Sequence, residues 1–139
     1  MEKIKAQELD KRAPRWRASN RNIDYAGIHI VADFWDCKMI EDEKELKVAF
    51  YEAARIANSK PLSFSVYKFS PQGITAVLLL SESHIAIHTW PEIGYIALDI
   101  FTCGERSQPM KALEYFRALL EPQEAVVREI KRGESTGTI

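Results

Sequence analysis

Between Leu62 and Cys103, four strand-like segments follow one another with only short connections, and this run constrains the fold more than any other feature. Leu62 to Phe69 alternates and is rich in Phe, Val and Tyr, and Pro71-Gln72-Gly73 reads as a turn. Ile74 to Leu80 is a continuous apolar stretch that pairs with it as a hairpin. His84 to Trp90 and Tyr95 to Cys103 come next, separated by Pro91-Glu92-Ile93-Gly94. A parallel pair needs a crossover of about a dozen residues or more, so these connections predict antiparallel neighbours.

The flanks add two helices and two strands. Tyr25 to Trp35 alternates, with Ile28, Ile30, Ala32 and Phe34 on one face and His29, Val31, Asp33 and Trp35 on the other. Glu41-Asp42-Glu43 then opens a helix, its acids placed where the N-terminal dipole favours them. Leu46, Ala49, Phe50, Ala53, Ala54 and Ala57 form its apolar face, and Pro61 marks the exit. Pro109 starts a second helix with Met110, Leu113, Phe116, Leu119 and Leu120 as the apolar face, and Pro122 stops it. Ala125 to Ile130 reads as a last strand. The order predicts an α+β two-layer sandwich, a mainly antiparallel sheet with two helices on one face. The other face must then meet solvent or a second copy of the chain.

A length of 139 residues fits one domain with a core that needs no disulfide staples. Hydrophobic residues at 46% and charged residues at 28% exclude disordered and collagen-like chains. A net charge of -1 gives no global pull toward nucleic acid or an anionic membrane. No apolar run approaches the ~18–20 residues of a membrane span. Residues 1–23 read as a basic extension, interrupted by Pro14 and without the apolar core of a signal peptide, so a cytoplasmic protein is expected. Residues 24–139 are then the single domain. Cys37 and Cys103 have neither zinc-knuckle nor redox C-x-x-C spacing and read as reduced thiols.

Candidate chemistry concentrates in Ser81-Glu82-Ser83-His84-Ile85-Ala86-Ile87-His88-Thr89-Trp90. His84 and His88 could chelate zinc on a helix, but on a strand at ~3.3 Å per residue they stand about 13 Å apart, so no metal site is expected. Ser83, His88 and Cys103 could supply a nucleophile and an acid–base group. Equally, the serines could be turn residues, the thiol a small buried hydrophobe and the histidine structural.

The stretch Ser81 to Gly104 (SESHIAIHTWPEIGYIALDIFTCG) closely resembles the core of the prokaryotic S-adenosylmethionine decarboxylase proenzymes. Ile30 to Cys37 resembles that family's first strand, Lys68-Phe69-Ser70-Pro71-Gln72-Gly73 its loop before the central hairpin strand, and Glu129 to Gly133 its C-terminal signature. The resemblance spans roughly residues 24 to 134.

It implies a self-processing, pyruvoyl-dependent decarboxylase of S-adenosylmethionine in spermidine biosynthesis. Cleavage between Glu82 and Ser83 would leave a β chain (1–82) and an α chain (83–139), with Ser83 becoming the pyruvoyl group that forms a Schiff base with substrate. His88 is implied as the processing base and Cys103 as the proton donor. Glu92, Phe69 and Trp90 match substrate-contacting positions, and Thr75 stands where relatives often carry Ser. Asp99 shares Cys103's strand face. The implied active form is a homodimer of processed αβ units, with no metal, nucleic acid or membrane partner. Two alternatives stay open: a pyruvoyl-dependent arginine decarboxylase of the same fold, and a non-catalytic regulatory homologue.

Overall fold

The computed structural model describes residues 25–104 and 106–135. The expected N-terminal extension lies outside them. Six strands form a single sheet: β1 (Gly27–Trp35), β2 (Pro61–Lys68), β3 (Ile74–Leu80), β4 (His84–Trp90), β5 (Tyr95–Cys103) and β6 (Glu124–Arg132). Helix α1 (Glu43–Ile56) follows β1, and α2 (Pro109–Leu120) follows β5. The sheet order is β2-β3-β4-β5-β1-β6 and every pair is antiparallel. The four consecutive segments are neighbours as their short connections require, and the α+β sandwich is the observed fold.

Both helices pack on one face of the sheet. Ile30, Phe34, Leu78, Ile87, Leu98 and Ile100 are fully buried beneath them. On α1 the buried residues are Leu46, Ala49, Phe50, Ala53 and Ala54, and the small alanines let the helix come close to its neighbours. Phe50 meets Phe116 of α2 edge-on at 5.6 Å and Phe64 of β2 at 5.5 Å. Asp42 caps α1, its carboxylate accepting from the Glu45 amide at 3.2 Å.

Several boundaries move. The last strand is longer than Ala125 to Ile130, because it pairs with β1 along its whole length. Met110 and Leu119 are exposed on α2, and Ala112 takes the buried place beside Leu113, Phe116 and Leu120. Leu62 is exposed because the β2–β3 register shifts between Pro61 and Ser63, breaking the alternation at that edge. Pro61 opens β2 rather than preceding it. Helix α2 ends at Leu120, and its cap residue Glu121 takes the left-handed conformation (φ 47°) just before Pro122.

The opposite face of the sheet carries no element among the described residues. Its side chains include the three histidines, His29, His84 and His88, together with Asp33, Asp99 and Cys103. Tyr67, Leu79, Trp90, Val126 and Ile130 are exposed there as well.

Candidate active site

Ser81, Glu82 and Ser83 form the turn between β3 and β4. The Leu80 amide donates to the Ser83 carbonyl at 2.9 Å, and the Ser83 amide to the Leu80 carbonyl at 3.4 Å. The Ser81 amide is tied to the Lys60 carbonyl at 3.0 Å. Ser83 therefore sits just outside β4, so strand alternation does not dictate where its hydroxyl points.

Cys103, the last residue of β5, reaches across this turn. Its thiol donates to the Glu82 carbonyl oxygen at 3.5 Å, the carbonyl on the N-terminal side of Ser83. Burial, and after it the charge of Glu82, pushes the thiol above its ordinary pKa, so it stays protonated and able to donate. Ser59, Lys60, Glu82, Ser83, Cys103 and Arg106 share a cavity of about 340 Å³. Gly27 pairs with Cys103 and makes room for it: a Cβ there would stand 2.5 Å from the Thr102 carbonyl oxygen and 2.9 Å from the Cys103 sulfur.

The remaining candidate residues gather at the other end of the strands. His88 pairs with Thr75, whose hydroxyl lies 3.0 Å from His88 Nδ1. Glu92 stands in the short 3-10 turn Pro91–Ile93 and accepts from Gln72 Nε2 at 3.3 Å. Phe69 is exposed against Tyr67, with ring centroids 4.8 Å apart. Trp90 stacks on Tyr95 at 5.2 Å, and Tyr95 on Trp35 at 4.5 Å. Tyr95 donates to the Asp33 carboxylate, and burial followed by that contact pushes the phenol up to about 12. The structure thus joins Ser83 with Cys103, and Thr75 with His88, but separates the two groups. His88 lies four residues along β4 from His84, about 13 Å at ~3.3 Å per residue.

One cluster escaped the sequence reading. Asp99 on β5 accepts from His29 Nε2 at 2.6 Å and lies 3.4 Å from His84 Nε2. Arg132 Nη1 stands 3.0 Å from His29 Nδ1. The ligand atoms of His29, His84 and Asp99 lie within 4.8 Å of one another, a grouping that could hold a cation. The arginine argues against it. Guanidinium only donates, so His29 Nδ1 accepts and Nε2 carries the proton given to Asp99. The cluster is a hydrogen-bond relay rather than a set of lone pairs. The signal for it was present in the alternation, which places His29 on one open face and Asp99 on the face of Cys103, but pairing register was needed to join them.

Fold and site define a class: a small α+β protein whose serine-containing turn is set against a cysteine thiol at the end of an open sheet face. Residues 28–133 match the family model for S-adenosylmethionine decarboxylase. The chain is 41% identical over 113 residues to the S-adenosylmethionine decarboxylase proenzyme of Pyrococcus furiosus, covering 80% of this chain and 81% of that one. It is 40% identical over 109 residues to the proenzyme of Methanococcus maripaludis, covering 77% and 89%. The crystal structure of the Aquifex aeolicus adenosylmethionine decarboxylase superposes with a TM-score of 0.75 at 32% identity, covering 84% of this chain and 98% of that one. The chain belongs to the S-adenosylmethionine decarboxylase family, whose members are pyruvoyl-dependent enzymes made as proenzymes.

Proposed function

We propose that this chain cleaves itself between Glu82 and Ser83 and then decarboxylates S-adenosylmethionine, working as a homodimer in the cytoplasm. The observation that carries the cleavage site is the Cys103 thiol held 3.5 Å from the Glu82 carbonyl oxygen, within the turn that contains Ser83. Attack of Ser83 Oγ on the Glu82 carbonyl carbon puts negative charge on that oxygen, and a protonated thiol stabilises it. Nitrogen leaves the carbonyl carbon, which turns the peptide link into an ester. A base then takes the Ser83 α-proton, and Glu82 departs as a carboxylate. Residue 83, left as dehydroalanine, tautomerises and hydrolyses with loss of ammonia.

The base is His88. A neutral imidazole suits that proton transfer. Within one chain β4 holds it too far from Ser83, so it comes from a second copy lying on the open face. The same copy would bring Thr75, Phe69 and Glu92 toward the Ser83 end. Exposed Leu79, Trp90, Val126 and Ile130 on that face provide apolar surface for the contact.

The residues at the turn fit a pyruvoyl group. The Gly27 gap leaves the Cys103 thiol unobstructed beside residue 83, and the adjoining cavity adds space. When formed, that group supplies an electron sink for loss of carbon dioxide. Cys103 returns a proton to the substrate α-carbon. Phe69 and Trp90 offer ring faces to adenine or the sulfonium, and Glu92 accepts from ribose hydroxyls.

No described helix is long and apolar enough to cross a membrane. Intact mass and N-terminal analysis of purified protein test the cleavage: two fragments are expected, split between Glu82 and Ser83, the C-terminal one blocked. Carbon dioxide release from labelled S-adenosylmethionine and labelled arginine tests the substrate. Release from arginine alone overturns the substrate assignment, and a chain that stays whole overturns the cleavage.

A further inference from the structure

Cleavage between Glu82 and Ser83 removes one of the two supports of residue 83. In the intact chain the turn holds it from both sides, through the peptide bond to Glu82 and the paired hydrogen bonds with Leu80. After cleavage residue 83 is a chain end, and a pyruvoyl group has no amide N–H. The 3.4 Å bond from the Ser83 amide to the Leu80 carbonyl therefore disappears. New chain ends fray unless they are tied down, yet the carbonyl made from residue 83 must keep its place beside Cys103.

The first side chain of the new chain is His84, and it is tied. Its Nε2 lies 3.4 Å from Asp99 Oδ2, Asp99 Oδ1 accepts from His29 Nε2 at 2.6 Å, and Arg132 donates to His29 Nδ1 at 3.0 Å. The relay crosses four adjacent strands: β4, β5, β1 and β6. Phe101, which pairs with both His84 and His29, fills the space between them, with ring centroids 5.9 Å and 5.3 Å away. The Arg132 guanidinium lies 5.6 Å over the same ring. Asp99 is diagonal to both histidines, so one carboxylate serves the two.

We infer that Asp99, with His29 behind it, is a positioning residue that anchors the new α-chain end through His84 and so holds the catalytic carbonyl in line with Cys103. The inference rests on cleavage at Glu82–Ser83. The anchor matters after cleavage and not before, because the intact turn is already closed. It acts on the reacting end of the substrate site, whereas Phe69 and Glu92 lie at the other end of the strands.

The test compares D99A and D99N in full-length protein, each also combined with S83A to give an uncleavable control. D99A is expected to cleave itself at the wild-type rate, and then to lose kcat by on the order of tenfold or more with KM little changed, as misplaced reacting groups do. D99N can accept from His29 through oxygen and donate to His84 through its amide, so it should keep most of the rate. Hydrogen exchange at the His84 and Ile85 amides should rise in cleaved D99A and stay unchanged in the D99A/S83A chain. A cleaved D99A protein with kcat within twofold of wild type overturns the anchor alone, as does exchange that rises equally in the uncleavable chain. A wild-type chain that is never split overturns the cleavage site and the anchor together.

Discussion

Gly27 and Cys103 face each other across the β1–β5 pair, and the glycine is there for space rather than backbone freedom. A methyl group would press on the Thr102 carbonyl at 2.5 Å and on the sulfur at 2.9 Å. Gly27→Ala should cost ~1–3 kcal/mol in denaturant unfolding, the usual penalty of overpacking, and should slow decarboxylation by displacing the thiol. The thiol itself makes a second prediction. The proposed role as proton donor needs the protonated form, and burial together with Glu82 moves the pKa above its ordinary value of 9.0. The kcat–pH profile should hold past that value on the alkaline side and fall only beyond it. In Cys103→Ser that alkaline limb should vanish along with most of the rate. Ser83 and Cys103 stand out as candidates from motif likeness alone. Their contact does not, because it depends on how the β3–β4 turn folds over the end of β5.

At the scale of elements, turn chemistry and periodicity located nearly everything, since a strand or helix is dictated largely by its own sequence. Asp42 shows how local such control is: its carboxylate closes the first turn of α1 without help from the sheet. Asp42→Ala should lower stability by about 1 kcal/mol in thermal or denaturant unfolding, and leave cleavage untouched. Where local reading fell short, a neighbour had decided the outcome. β6 gains length by pairing with β1 from end to end. Leu62 loses burial to a register shift against β3. On α2 the buried arc centres on Leu113, Phe116 and Leu120, which turns Met110 and Leu119 outward.

On the proposed function, the whole molecule presents half of a site at each end of one open sheet face. Ser83 and Cys103 lie at one end, Thr75, His88 and Glu92 at the other. If a second copy supplies the base, two defective chains should repair each other. Neither Ser83→Ala nor His88→Ala should cleave when expressed alone, whereas co-expression should restore cleavage of the His88→Ala chain only. Mass analysis of the mixture reads this directly, and an H88A chain that stays whole in the mixture counts against the shared site. The sequence by itself determined the elements, the antiparallel connections of β2 to β5, the two-layer architecture and the family, because those follow from short-range periodicity, turn residues and a continuous motif. Only the tertiary structure decided that β1 sits between β5 and β6 and that Asp99 bridges His84 and His29. These depend on register between strands far apart in sequence, where a slip of one residue would turn every side chain to the other face.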